Sequence, residues 1–187
     1  MSTVVGRQKI PRMDRRVGLY LQVGIVCHAG YFFGFLYEAI VDVPNMLGAR
    51  AVQAQALWDP YHWLTNPGFY YTIVGMPALV SLVLLLRRRT RLSLAGRVRL
   101  RASTGCHLVM MALTTIAVTQ INDTLYFGAP IGDLGRVHFL AGAWFLVNAA
   151  RISVTAVVIA NLMKIYTEAL AIPVSSAKVP GSPEVSP

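Results

Sequence analysis

Ala143-Trp144-Phe145-Leu146-Val147-Asn148-Ala149-Ala150-Arg151 is the stretch on which the reading of the whole chain turns. Trp144, Asn148 and Arg151 recur at helical spacing and so share one face of a helix. Around them Phe139, Leu140, Val154, Val157, Val158 and Ile159 have the composition of a membrane span. An arginine at the centre of such a span costs roughly 2.5–3.5 kcal/mol on translocon scales. Arg151 must therefore face the protein interior, with a partner or a bound ligand.

Composition supports the membrane setting. The 187 residues are 55% hydrophobic and 13% charged, with a mean hydropathy of +0.54. The charged share is about half that of an average soluble domain. A net charge of +9 would point to nucleic acid in a soluble protein, but here the basic residues flank apolar runs. The bilayer, not nucleic acid, is the expected partner.

Four spans follow, at about 17–40, 68–86, 102–121 and 137–165. They predict an all-α fold, a four-helix transmembrane bundle. Residues 1–16 form a basic segment that anchors rather than targets, because the apolar run after it is long and lacks a small-residue cleavage site. Arg7, Lys9, Arg12, Arg15 and Arg16 precede the first span; Arg50 alone lies in the first loop; seven arginines from Arg87 to Arg101 fill the second; Arg136 alone lies in the third; Lys164 and Lys178 close the chain. This alternation predicts a multi-pass plasma-membrane protein with both termini in the cytoplasm. Residues 166–187 read as a tail, mostly disordered. The loop 41–67 reads as a structured outer loop, rich in Pro and Trp, with a short interfacial helix at 49–57, and Pro77 should kink the second span.

Polar residues inside the spans mark the candidate site. His28, Tyr31, Phe35, Glu38 and Asp42 line one face of the first helix, and His107, Met111, Thr114, Val118 and Asn122 one face of the third. Trp144, Asn148, Arg151 and Thr155 do so on the fourth. At about 1.5 Å per residue, His28, Thr114 and Arg151 fall mid-span. Glu38, Asn122 and His138 fall near the outer end, and His107 is displaced towards the cytoplasm. The predicted pocket opens outward beneath Trp58, His62 and Trp63. Two readings of Arg151 stay open, a lock to Glu38 or a helix carbonyl and a ligand contact; Asn148 is likewise interhelical glue or a substrate contact. Tyr61, Tyr70 and Tyr71 read as an interfacial belt, and Cys27 and Cys106 as small core residues.

The run Gly30-Tyr31-Phe32-Phe33-Gly34-Phe35 with Val43-Pro44, the run Val118-Thr119-Gln120-Ile121-Asn122-Asp123-Thr124-Leu125, and Trp144-x-x-x-Asn148-x-x-Arg151 together resemble the anthrone oxygenase type of small four-helix membrane proteins. The resemblance covers about Val17 to Ile165. It departs where the family commonly has a proline before the asparagine ending the third helix, since this chain has Gln120-Ile121. What it implies is oxygenation of an aromatic or polyketide substrate without an organic cofactor. A base (His28, Glu38 or His138) forms a carbanion that reacts with dioxygen, Arg151 and Asn148 hold the enolate oxygen, and Trp144, Phe35, Trp58 and Trp63 sandwich the rings. Tyr31, Thr114, Asn122 and His62 complete the expected substrate contacts. No metal ligands are assigned. The alternatives are iron, copper or a haem held by His28 and His107, and a non-catalytic transporter or assembly subunit. The expected partners are lipid and a hydrophobic aromatic small molecule, with a homo-oligomer left open.

Overall fold

The computed structural model describes residues 14–62 and 67–170, with the side chains of 59–62 and 67 excepted. Asp14 starts the first helix by accepting a hydrogen bond from the Arg16 N–H at 2.9 Å, the usual means of satisfying a free helix-terminal donor. This helix, α1 (Arg15–Tyr37), passes through a π turn (Glu38–Asp42) into α2 (Val43–Leu47). Pro44 has no N–H to donate four residues back, and the wide turn lies where that ladder gives way.

After α3 (Ala51–His62), α4 (Pro67–Arg87) runs through Pro77 and a 3-10 turn (Arg89–Arg91) leads to α5 (Leu94–Ile116). Ser93 caps α5 by accepting from the Gly96 N–H at 2.9 Å. A second π turn (Ala117–Asn122), the short α6 (Asp123–Leu125) and the long α7 (Leu134–Leu170) complete the chain. Among the described residues there is no strand.

Among the described residues four segments are long and apolar enough to cross a membrane: Arg15–Leu47, Gly68–Arg87, Leu94–Leu125 and Leu134–Leu170, of 33, 20, 32 and 37 residues. A hydrocarbon core needs only about 20, so three of them project beyond it. The protein is an all-α, multi-pass membrane bundle. α7 packs against both α1 and α5, and α1 also against α4. Large apolar side chains such as Val26, Phe69, Ile73, Phe139 and Leu146 face outward, as lipid requires.

One end of the bundle is tied by Asp14 to Arg88 at 3.1 Å and by Arg99 to Glu168. Val17, Leu21, Leu82, Leu85, Leu100 and Leu162 are buried behind it. At the opposite end α2 and α3 lie across α7, where Val43, Met46, Ala51, Ile121, Tyr126 and Trp144 form a second core. Gln55 fixes the lower edge of this roof by accepting from the Ile131 N–H at 2.9 Å.

The helices outrun the spans read from hydropathy. The first continues to Leu47, and the third begins at Leu94, so Arg97, Arg99 and Arg101 lie on a helix and not in a loop. The fourth runs to Leu170, five residues into the expected tail; residues 171–187 lie outside the described residues. Hydropathy registers lipid contact, whereas the helix continues wherever its backbone bonds continue. The outer loop is more helical than expected, with α2 and α3 in place of a single helix at 49–57.

Candidate functional site

Arg151 is buried, and its reach explains why α1 and α7 are locked together. Its guanidinium donates to Glu38 Oε2 at 2.8 Å and to Asn148 Oδ1 at 2.7 Å. The guanidinium carbon lies 4.2 Å above the centre of the Phe35 ring, a cation–π contact in a water-poor interior. Asn148 in turn donates to the Phe35 carbonyl at 2.7 Å. That carbonyl sits just before the first π turn, where the α1 ladder changes pitch. π turns of this kind recur at functional sites because they rearrange backbone groups and side-chain phase.

The other oxygen of Glu38 accepts from the Tyr71 hydroxyl at 2.5 Å. Tyr71, read from sequence as part of an interfacial belt, thus belongs to the buried network. Its ring stacks on Phe35 at 5.1 Å and on Tyr31 at 5.9 Å between centroids. Tyr31 donates to the Tyr71 carbonyl at 3.3 Å. The close approach of α4 needs glycine on α1: a Cβ at Gly34 would come within 2.8 Å of the Tyr70 ring and 3.0 Å of Tyr71.

Asp42, one π turn beyond Glu38, is only 7% exposed, and its carboxylate has no hydrogen-bond partner among the described residues. With Glu38 and Tyr71 it lines a cavity of about 330 Å³ whose other walls are Phe33, Gly34, Tyr37 and Tyr70. A larger open cleft at Asp123, Thr124, residues 128–133 and Arg136 holds none of the buried network.

Behind the carboxylates lie polar atoms that are buried and without a partner among the described residues: Arg151 Nε, Trp144 Nε1, the Tyr126 hydroxyl and Asn122 Oδ1. The Tyr126 and Trp144 rings meet at 4.8 Å, and Trp58 covers Tyr126 at 4.4 Å. Burial first, then the nearby Asp42 and Glu38 charges, raise the Tyr126 pKa, so this hydroxyl keeps its proton and remains a donor. Most buried polar groups are paired. The unpartnered donors of Tyr126 and Trp144, whose rings touch, mark a site for water or a ligand oxygen.

No known protein family, characterised protein or solved structure matches this chain.

Several expected contacts fall elsewhere. His28 and His107 are adjacent, with Nε2 of the first 3.1 Å from Nδ1 of the second, although the depth argument had set them apart. The error came from starting the third span at residue 102: each histidine is 13 residues into its helix, counted from Arg15 and from Leu94. His28 Nδ1 faces the Gly24 carbonyl at 2.7 Å and so carries the proton. Its Nε2 accepts from His107 Nδ1–H, which leaves His107 Nε2 as an unpartnered lone pair. His138 donates to the Gly48 carbonyl at 3.2 Å and fastens α7 to the roof.

Thr114 donates to the Met110 carbonyl of its own helix. The buried face of α5 is Leu100, Ser103, His107 and Met110, continuing as Ala117 and Ile121 beyond it, not the expected Met111 and Val118, which are exposed. The residue added by the second π turn shifts the phase so that Asn122 nevertheless reaches the interior. The His62 side chain and Trp63 lie outside the described residues. Asp42, Tyr71 and Tyr126 were missed as site residues. Asp42 stood on the right face in sequence, but nothing there showed that it alone would lack a partner. Among the described residues no group of three His, Cys, Asp or Glu is placed to hold a metal ion.

Proposed function

We propose that this protein is a membrane enzyme that oxygenates a hydrophobic aromatic substrate of the anthrone type, using a carboxylate base. The observation that carries this reading is Asp42, a buried carboxylate without a partner, on the floor of a cavity walled by aromatic rings. A cavity of about 330 Å³ falls at the small end of ligand sites and suits a compact fused-ring molecule.

In this reading Asp42 takes the proton of an activated CH₂ group. The ring-stabilised carbanion adds dioxygen and, on protonation, becomes a hydroperoxide. Loss of the second C–H proton with cleavage of the O–O bond releases water and leaves the carbonyl. One CH₂ and one O₂ give one C=O and one H₂O. Arg151 acts through Glu38, keeping a charge-balanced network against which the substrate docks. The unpartnered Trp144 and Tyr126 donors do not line the cavity; they would act on the developing oxyanion through a water held behind the carboxylates. The lysine and arginine asymmetry supports a topology with both termini and the α4–α5 connection in the cytoplasm, in which the cavity lies towards the outer half of the bilayer.

A haem between His28 and His107 is less well supported. Two axial nitrogens at about 2 Å from one metal stand about 4 Å apart, and these are at 3.1 Å. Membranes bearing the protein and supplied with anthrone should consume one O₂ per quinone formed. Asp42→Asn should lower the rate by roughly 100-fold or more, and an undiminished rate in that variant would overturn the assignment.

A further inference from the structure

Among the described residues, the cavity that holds Asp42 is lined from α1, the first π turn and α4. Val43, Met46 and Trp144 of the second core are buried and form no part of its lining. Its exposed rim lies between α1 and α4, where Phe33 is 64%, Tyr37 59% and Tyr70 43% exposed. All three lie on segments long and apolar enough to span a membrane, and in a bilayer this rim would face lipid. The rim is fixed, because the Tyr70 hydroxyl donates to the Gly30 carbonyl at 2.7 Å and Gly34 leaves no room for a further atom beneath the two tyrosines.

We propose that the site is loaded from the bilayer, through a portal between α1 and α4, and that it takes neutral, flat, lipid-soluble aromatic molecules and refuses anionic ones. This rests on the reading of the cavity as the substrate site. Lipid access follows from where the rim is exposed. Neutrality follows from the floor: Glu38 is balanced by Arg151 at 2.8 Å, but Asp42 has no cationic partner, and an anion brought beside it in a medium of low dielectric is repelled. Flatness follows from the walls, since aromatic side chains prefer to stack on rings.

The test uses Tyr37→Cys, or Phe33→Cys on the other edge, in a Cys27→Ala, Cys106→Ala background reconstituted into phosphatidylcholine bilayers. A lipid-soluble pyrenyl maleimide should alkylate the new thiol roughly tenfold or more faster than a membrane-impermeant sulfonated maleimide, as expected for a thiol within the hydrocarbon layer. Anthrone at ten times its Kd should slow that alkylation about tenfold, since only one pocket in eleven then remains empty. Anthracene sulfonate at the same concentration should give no protection. Equal or faster alkylation by the sulfonated reagent, no alkylation by either, lack of protection by anthrone, or protection by the sulfonate each overturns the proposal. Protection by anthrone without any quinone formed by the unsubstituted protein would instead overturn the oxygenase reading and leave the portal standing.

Discussion

Two buried polar crossings join α1 to its neighbours, and they are built on opposite principles. Near the basic end His28 and His107 form a linear chain from the Gly24 carbonyl, in which each donor meets one acceptor until a single lone pair remains. Nearer the roof, Arg151, Glu38, Asn148 and Tyr71 interlock, yet they are surrounded by more hydrogen-bonding atoms than they can satisfy. The first arrangement is what a helix–helix contact in lipid needs. The second leaves buried donors and a carboxylate idle, and each such group is a standing cost of about 1–3 kcal/mol. Polar atoms kept at that cost beside a cavity are the better guide to function than the titrating histidines that draw the eye in sequence.

The comparison breaks first, and most visibly, at Arg151. Arg151→Leu leaves Glu38 charged and alone in the interior, which should abolish turnover and destabilise the bundle by about 3–5 kcal/mol. Thermal denaturation in detergent would measure the loss. Replacing both members with leucine should restore most of the stability but none of the activity; a double variant that turns over would show that the pair serves packing alone.

Trp144→Phe is a sharper probe, because it keeps the ring against Tyr126 and removes only an N–H that has no partner. Turnover should fall roughly tenfold to 100-fold, while the melting temperature stays level or rises. Were the rate unaffected, the idle donors would have no part in catalysis.

The opposite behaviour is expected of the histidine pair. His107→Phe strands one acceptor of His28, so stability should drop by about 1–3 kcal/mol with turnover changed less than about twofold. A well-folded but inactive variant would reverse the comparison and move the chemistry to the basic end.

Smallest of all is the surface pair Arg99–Glu168. Arg99→Gln should alter stability by at most about 0.5 kcal/mol. At the same end, Asp14 has its pKa lowered first by the Arg16 N–H and then by Arg88. Its folded-state pKa is below the unfolded one, so its contribution is present above the ordinary carboxylate range and fades as the pH falls through the lowered value. Asp14→Asn should remove that acid-side dependence from unfolding curves between about pH 5 and 2.

How much of this was legible beforehand varies by residue. The Trp144, Asn148 and Arg151 face followed from spacing, whereas the lock between Arg151 and Glu38 was one of two open readings that only the structure decided. Tyr71 was not legible: an aromatic near a span end reads as an interfacial anchor, and only the glycine at 34 lets it come close enough to reach Glu38. His107 was misplaced because hydropathy cannot see that a helix begins inside a run of arginines.

By itself the sequence determined a four-span helical bundle and its buried faces on α1 and α7, since apolar length and helical period act locally along the chain. Only the tertiary structure decided which polar groups found partners. Among the described residues the Asp42 carboxylate, Trp144 Nε1 and the Tyr126 hydroxyl did not, and the cavity beside Asp42 is lined from α1, the first π turn and α4. Pairing, and the lack of it, depends on the phase shifts of two π turns and on how closely the helices approach. Neither quantity is written in any one stretch of residues.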